Sequence, residues 1–198
     1  TQRKVETIYP NADKITYKYN IRRLLESITD ERGKLTNYEF DSAYRLKKIT
    51  DALGNFREID YDLMSNVKLS KDGLGNQTDY VYDNFNRLKE VEYPLAETGV
   101  TRLKEKFEYD ALGRIKKLID TANRETVYNY DDANRTISVT NAENETTQTK
   151  YNARRQAIEV KDALNQIYTF TYNPFGQVLT QTRAGITMSY EYDEVRNR

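Results

Sequence analysis

Short acidic side chains recur at fixed intervals along this chain, and they are its first candidates for chemistry. Asp41, Asp83, Asp110 and Asp131 each follow an aromatic residue, and an arginine stands four residues after each of them. Carboxylates in such a pattern could transfer protons in catalysis or bind calcium. The chain has no histidine and no cysteine, so the usual general base and two common metal-binding side chains are missing. Any catalytic or metal chemistry would therefore depend on the carboxylates.

The copies of this pattern argue against both kinds of site. The acidic position is filled by an amide at Asn20, Asn152 and Asn173, and it is never Glu. Asn keeps the short acceptor of an Asx-turn but loses the charge that proton transfer or metal binding needs. One carboxylate per turn also falls short of the six to eight oxygen ligands of calcium. We therefore predict no enzymatic activity, no cofactor and no metal site, and we interpret the carboxylates as turn acceptors.

An aromatic anchor stands directly before each of these turns and defines a repeat. Successive anchors lie 21 residues apart, except for one spacing of 27 and a last one of 20. A period this strict predicts a repeat architecture. The nine anchors are Tyr19, Phe40, Tyr61, Tyr82, Tyr109, Tyr130, Tyr151, Tyr172 and Tyr192.

The residues around each anchor predict two strands per repeat. In one copy, Tyr38 stands two residues before Phe40, which places both rings on one face of a strand. Leu46 and Ile49 follow at positions +6 and +9 from the anchor, and most other repeats have aliphatic residues there too. Because these positions differ by an odd number, either a β-bulge lies between them or the second strand contributes to both faces.

A second turn closes each repeat ten residues after the first acidic position. It begins with Asp or Asn at position +11 and has Gly or Asn at position +14, as in Gly33, Gly54 and Gly75. These residue types tolerate positive φ, so we expect a left-handed turn residue there. Gly113 and Gly176 close the first turn in two copies.

The chain as a whole is thus expected to be all-β, an antiparallel β-hairpin repeat array that forms a curled strip. We predict a single array over residues 1–198, with about eight 21-residue repeats cut mid-repeat at both ends and a loop insertion at residues 92–102. Residues 130–160 are expected to be less stable than the rest, because Thr136, Thr149 and Ala157 replace larger apolar residues of the repeat.

Charge and hydropathy restrict the partners. The chain has 31 basic and 31 acidic residues, so no net charge attracts nucleic acid, and no apolar run is long enough for membrane insertion. The tyrosine rows are interpreted as a packing ladder, and stacking of the same rings on a glycan remains an alternative. Exposed strand edges are expected to promote edge-to-edge self-association.

Two stretches carry a resemblance to a known family. The sequences Tyr109-Asp110-Ala111-Leu112-Gly113-Arg114-Ile115 and Asp51-Ala52-Leu53-Gly54-Asn55 resemble the YD repeat, also called the Rhs repeat. The likeness extends over essentially the whole chain, although copies such as Tyr61-Asp62-Leu63-Met64-Ser65-Asn66 depart from it. The family includes bacterial Rhs polymorphic toxins, the B and C components of ABC toxin complexes, wall-associated proteins and teneurins.

The resemblance implies a segment of a spiral β-shell with a structural role. The expected function is to encapsulate a C-terminal toxin or effector domain in a larger bacterial protein that is secreted or at the cell surface. Its partners would be the remainder of the parent shell and the enclosed effector. The alternative is an extracellular module that binds a glycan or a protein through its tyrosine-rich face.

Overall fold

A computed structural model describes residues 3–11, 13–96 and 99–192, and within these ranges the chain is all-β, with eighteen strands and no helix. Residues 1–104 and 105–198 form two compact units, which are described separately. The strands that begin in the first unit are β1 Arg3–Ile8, β2 Lys14–Tyr19, β3 Leu25–Thr29, β4 Leu35–Phe40, β5 Leu46–Thr50, β6 Phe56–Tyr61, β7 Val67–Asp72, β8 Gln77–Tyr82, β9 Leu88–Glu92 and β10 Lys104–Tyr109. Those of the second unit are β11 Ile115–Ile119, β12 Glu125–Asp131, β13 Thr136–Thr140, β14 Thr146–Tyr151, β15 Ala157–Lys161, β16 Ile167–Tyr172, β17 Val178–Arg183 and β18 Ile186–Ser189.

Within each unit, each strand pairs with the next one along the chain. In the first unit β1 to β9 pair consecutively, and every pair is antiparallel. In the second unit β10 to β18 pair in the same way. The predicted all-β array of antiparallel hairpins is confirmed. The half-repeat expected at residues 193–198 lies outside the described residues.

The predicted insertion lies between β9 and β10. The backbone NH of Tyr93 donates to the carbonyl of Leu103 at 2.9 Å, which closes the base of this loop. Arg102 anchors it further: its guanidinium donates to the carbonyls of Tyr93, Gln77 and Glu92, each at 2.7 Å. The same side chain also contacts the carboxylate of Asp79. One arginine therefore attaches the loop to the strand ends beside it.

A β-bulge places both aliphatic positions of the repeat on the aromatic face. In the β4–β5 hairpin Phe40 pairs with Leu46 and Tyr38 pairs with Ile49, and the register shifts by one residue between Glu39 and Phe40. The extra residue of the bulge lets positions +6 and +9 face the same side. The same shift occurs in seven first-turn hairpins of the described chain. Of the two possibilities that the sequence leaves open, the bulge is the one observed.

The β12–β13 hairpin departs from this rule and corrects one expectation. It has no register shift, so Asp131 pairs with Thr136 and Tyr130 pairs with Ile137. The anchor's partner thus stands at position +7 rather than +6, which takes up the residue that forms the bulge in other hairpins, and Tyr128 still pairs with Val139 at position +9. The expectation that Thr136 fills the aliphatic position opposite the anchor is therefore wrong, because Ile137 stands there.

Burial follows the alternation of each strand. In β4, Tyr38 and Phe40 are half-buried, whereas Asn37 and Glu39 are exposed. Among the described apolar residues only Val91 is buried outright, with 5% of its surface exposed. In β4 the aromatic face is thus the more packed one, and it retains partial exposure.

Candidate functional site

The first turn of each repeat is organised by one side-chain oxygen. In the turn after Phe40, Oδ1 of Asp41 accepts hydrogen bonds from the backbone NH groups of Ala43 and Arg45, both at 2.9 Å. Oδ2 accepts from Nε of Arg45 at 2.8 Å. These bonds, first that from the backbone NH of Arg45, hold the pKa of the Asp41 carboxyl below its ordinary value. The carboxylate is therefore occupied within its own turn.

Asparagine forms the same turn where it replaces aspartate. Oδ1 of Asn152 accepts from the backbone NH groups of Arg154 and Gln156 at 2.9 and 3.0 Å. Asn20 and Asn173 make the equivalent pair of bonds. The acceptor rather than the charge is what these positions share, which fits their interpretation as Asx-turns.

The predicted repeat residues occupy equivalent places in successive repeats. The anchors lie near the end of the strand before each first turn, in β2, β4, β6, β8, β10, β12, β14 and β16, and Tyr192 follows β18. Asp41, Asp83 and Asp110 each accept from two backbone NH groups of their own turn. Asp131 differs, because it accepts from Asn134 and not from Arg135, so the arginine four residues later does not pair with it.

Both turns require a left-handed residue. In the second turns Gly33, Gly54 and Gly75 have φ of 74°, 85° and 89°. Gly113 and Gly176 occupy the corresponding place in first turns, with φ of 82° and 89°. In other first turns the same conformation is taken by residues with larger side chains: Arg23, Tyr44, Ser65, Asn86 and Arg155. Sequence reasoning missed these five, although alignment of their repeats with Gly113 and Gly176 could have found them.

Five tyrosine hydroxyl groups join a repeat to the one before it. The hydroxyl of Tyr61 donates to the carbonyl of Leu46 at 2.8 Å, fifteen residues earlier, which is position +6 of the preceding repeat. A bulge disrupts the strand ladder at this point, and the hydroxyl supplies a donor to its carbonyl. Four other anchors make the equivalent bond: Tyr82 to Val67, Tyr130 to Ile115, Tyr172 to Ala157 and Tyr192 to Val178. No sequence pattern pointed to these bonds beyond the choice of Tyr over Phe.

Arginine side chains form a second connection between repeats. Arg114 donates to Asp110 of its own turn at 2.7 Å and to Asp132 of the next turn at 2.6 Å. Its guanidinium carbon lies 4.0 Å from the ring centroid of Tyr130, the next anchor. Asp132 and then Asp110 raise the pKa of Arg114 above its ordinary value. Stacking and ion pairing together thus orient this arginine across two repeats.

Arg45 makes the same connection in the first unit. Its guanidinium pairs with Asp41, donates to the carbonyl of Asp62 at 3.2 Å, and lies 4.5 Å from the ring centroid of Tyr61. The ring faces of Tyr61 and Tyr130 are therefore covered by arginine, and their hydroxyl groups are bonded to backbone.

The described residues bring no three His, Cys, Asp or Glu side chains together in a group that could hold a metal ion. Nor does this part of the chain contain a helix that could cross a lipid bilayer. The geometry instead supports mechanical linkage: the Asx-turns are closed by their own acceptors, and several repeats are bonded to a neighbour through tyrosine or arginine.

Comparisons with known proteins agree with this description. A family profile described as Teneurin YD-shell matches residues 64–195, which is more than half of the chain. Two solved structures show the same fold, "Crystal Structure of TcdB2-TccC3-Cdc42" at 12% identity and "Crystal Structure of TcdB2-TccC3" at 13% identity, each with a TM-score of 0.51. The alignments cover 96% of this chain but only 14% of either solved chain. No curated protein has a significant match.

Proposed function

Since the chain belongs to the Teneurin YD-shell family, we propose that it is a wall segment of a β-shell that encloses a C-terminal effector domain in a larger secreted bacterial protein. The chain corresponds to about one-seventh of the two solved chains, so most of such a shell would come from other segments. The role of this segment is structural and non-catalytic, and its partners are the rest of the parent shell and the enclosed domain.

The bonds between successive repeats are the observation that carries this proposal. Five anchor tyrosines donate to the preceding repeat, and Arg45 and Arg114 each reach the following one. A wall must resist separation of its strands along its length, and bonds that recur in several repeats serve that purpose. Each neutral hydrogen bond contributes only about 1 kcal/mol, so the resistance comes from their number.

Exposed apolar side chains at the turns fit a surface that another segment of a shell would cover. Leu63 and Leu74 have 103% and 89% of their surface exposed, and Phe85 has 79%. They stand within turns on the borders of the first unit, where the next layer of a shell would lie. Such side chains would otherwise favour association between copies of the chain, in addition to pairing of strand edges.

The tyrosine face is a less suitable binding surface than the sequence alone indicates. Stacking on a sugar needs an open ring face, and arginine covers Tyr61 and Tyr130. Partial burial also raises the pKa of the Tyr82 and Tyr130 phenols, as expected for packed rings. The wall interpretation therefore has the better support.

Protease protection of the effector tests the proposal in the parent protein. Replacing Tyr61, Tyr82, Tyr130 and Tyr172 by Phe removes four bonds between repeats while it keeps the rings, so the effector should be digested faster than in the unaltered protein. In the matched control, Phe replaces four tyrosines that stand two residues before anchors: Tyr17, Tyr38, Tyr80 and Tyr128. This variant should leave protection unchanged. An effector that is digested equally fast with and without the array would refute enclosure.

A further inference from the structure

A cavity of about 600 Å³ opens in the second unit where the repeat geometry changes. It lies beside the β12–β13 turn, the first-turn hairpin without a bulge among those described. Its lining includes Tyr130 and Tyr151, Ile137 and Ala153, and two arginines, Arg135 and Arg155. The volume falls in the range of sites for small molecules, and the lining combines an apolar part with charged and polar side chains.

The change in geometry leaves one tyrosine hydroxyl without its usual acceptor. Five other anchors donate to the carbonyl at position +6 of the preceding repeat. For Tyr151 that position is Thr136, which pairs directly with Lys150 in the unbulged ladder. Within the described chain the Tyr151 hydroxyl has no hydrogen-bond partner, so it is available to a ligand in the cavity.

Two guanidinium groups at the cavity are also uncommitted. Arg45 and Arg114 each bind an aspartate of their own turn, whereas the side chains of Arg135 and Arg155 have no ion pair or hydrogen bond with any described residue. Arg155 stands at the turn place that Gly113 and Gly176 fill elsewhere, and Arg135 ends the β12–β13 turn. Both guanidinium groups are therefore available to pair with an anionic ligand.

The charge balance of the cavity selects a ligand with one negative charge. Asp132 is paired with Arg114, and Asp131 accepts from Asn134. Three arginines against two aspartates leave a single positive charge on the lining. A bare inorganic anion would satisfy the arginines but leave the apolar wall in water, and the short side chain of an acidic peptide would do the same. A ligand that joins one carboxylate to a sugar-sized ring satisfies both the arginines and the apolar wall.

We propose that this cavity binds an acidic sugar such as a hexuronic acid. The carboxylate pairs with Arg135 and Arg155, because guanidinium groups bind carboxylates in a planar, charge-assisted geometry. The sugar ring lies against the apolar wall, and the Tyr151 hydroxyl donates to a ring substituent. This site differs from the regular tyrosine face, and it does not depend on enclosure of an effector.

Titration of the ¹⁵N-labelled chain with D-glucuronic acid, followed by amide chemical shifts, tests the proposal. Shifts should be confined to residues 131–137 and 151–155. D-glucose, which has the same ring without the carboxylate, should bind at least about tenfold more weakly. N-acetyl-aspartate supplies two carboxylates without the sugar ring, and it should also bind more weakly. Equal binding of glucose, or stronger binding of N-acetyl-aspartate, would overturn the assignment.

Variants separate a designed site from a general surface effect. Arg155→Gly removes one guanidinium at a place where glycine fits the backbone, and it should weaken binding about tenfold; Tyr151→Phe should weaken it about threefold. Arg23→Gly is the matched control, because Arg23 has the same turn position and a φ of 66° but lies in the first unit, away from the cavity. Unchanged binding in Arg155→Gly, or an equal loss in Arg23→Gly, would contradict the proposal.

Discussion

Asp41 and Tyr61 show how single residues hold the repeats together. The aspartate directs both oxygens into its own turn, and the tyrosine donates its hydroxyl to a carbonyl of the preceding repeat. Asn can replace the aspartate because it keeps the acceptor, whereas Glu is too long for the Asx-turn, and Phe cannot replace the tyrosine because it lacks the donor. At this scale the chemistry of the chain is structural.

Replacing Tyr82 by Phe should lower the free energy of unfolding by about 1 kcal/mol, because the carbonyl of Val67 loses its donor while the ring stays packed. The midpoint of urea unfolding measures this change. Tyr38→Phe is the control, since Tyr38 has an equivalent half-buried ring but is not an anchor. Equal midpoints for the two variants would show that the hydroxyl bond contributes nothing.

Acid should weaken the array through its turn carboxylates. Hydrogen bonds, first those from the amide side chains of Asn55, Asn66 and Asn76, lower the pKa of Asp51, Asp62 and Asp72 below the ordinary value of 3.8. Groups with a depressed pKa in the folded state stabilise it fully above the ordinary pKa, and this stabilisation is lost as the pH falls through the folded-state pKa.

We therefore expect the thermal unfolding midpoint to decrease when the pH is lowered below about 4. The variant in which Asn replaces Asp51, Asp62 and Asp72 should unfold near the normal temperature at pH 7, because Asn keeps the turn acceptor. Between pH 5 and pH 2 its thermal midpoint should decrease less than that of the unaltered chain. The same acid-induced decrease in both proteins would mean that other groups control the pH dependence.

The β12–β13 and β14–β15 hairpins show what the strands add to these residues. In β12–β13 the ladder runs without a bulge and brings Ile137 opposite Tyr130, so this pair is not weakened by Thr136. In β14–β15 the usual bulge is present, and the anchor Tyr151 pairs with Ala157 where other repeats have Leu, Val or Ile. We therefore expect the lower stability predicted for residues 130–160 to be confined to the contact between β14 and β15.

Ala157→Val should stabilise this hairpin by about 1 kcal/mol, since it adds two methyl groups beside a half-buried ring. Amide hydrogen exchange should be faster in β14–β15 than in β10–β11 of the unaltered chain, and the substitution should slow it there. Ala153→Val, at an exposed turn residue, is the control and should change little. Equal protection of the two hairpins before substitution would disprove the weakness of β14–β15.

On the scale of the whole molecule, each unit exposes apolar side chains at its turns. A monomeric protein normally shows such residues singly, and here they recur at equivalent turn positions, as with Leu53, Leu74 and Leu164. Their exposures are 77%, 89% and 77%. This recurrence supports a wall that contacts further layers of a larger protein.

Replacing Leu53 and Leu74 by Ser should reduce concentration-dependent association of the chain without lowering its thermal midpoint, because both side chains are almost fully exposed. Sedimentation velocity over a range of concentrations measures the association. The control replaces Arg32 and Glu143, exposed residues at the same turn place, by Ser. If loss of the two leucines leaves association unchanged, pairing of strand edges causes it instead.

The sequence by itself determined the repeat, the antiparallel hairpins, the Asx-turns and the left-handed place at Gly54 and its equivalents. These features depend on contacts within about five residues or on strict alternation along a strand, so residue type and spacing suffice to predict them. Only the tertiary structure decided that Tyr61 bonds to Leu46, that Ile137 rather than Thr136 faces Tyr130, and that Arg155 lines a cavity. Each of these depends on strand register, and a hairpin can lose its bulge without changing the period that the sequence displays.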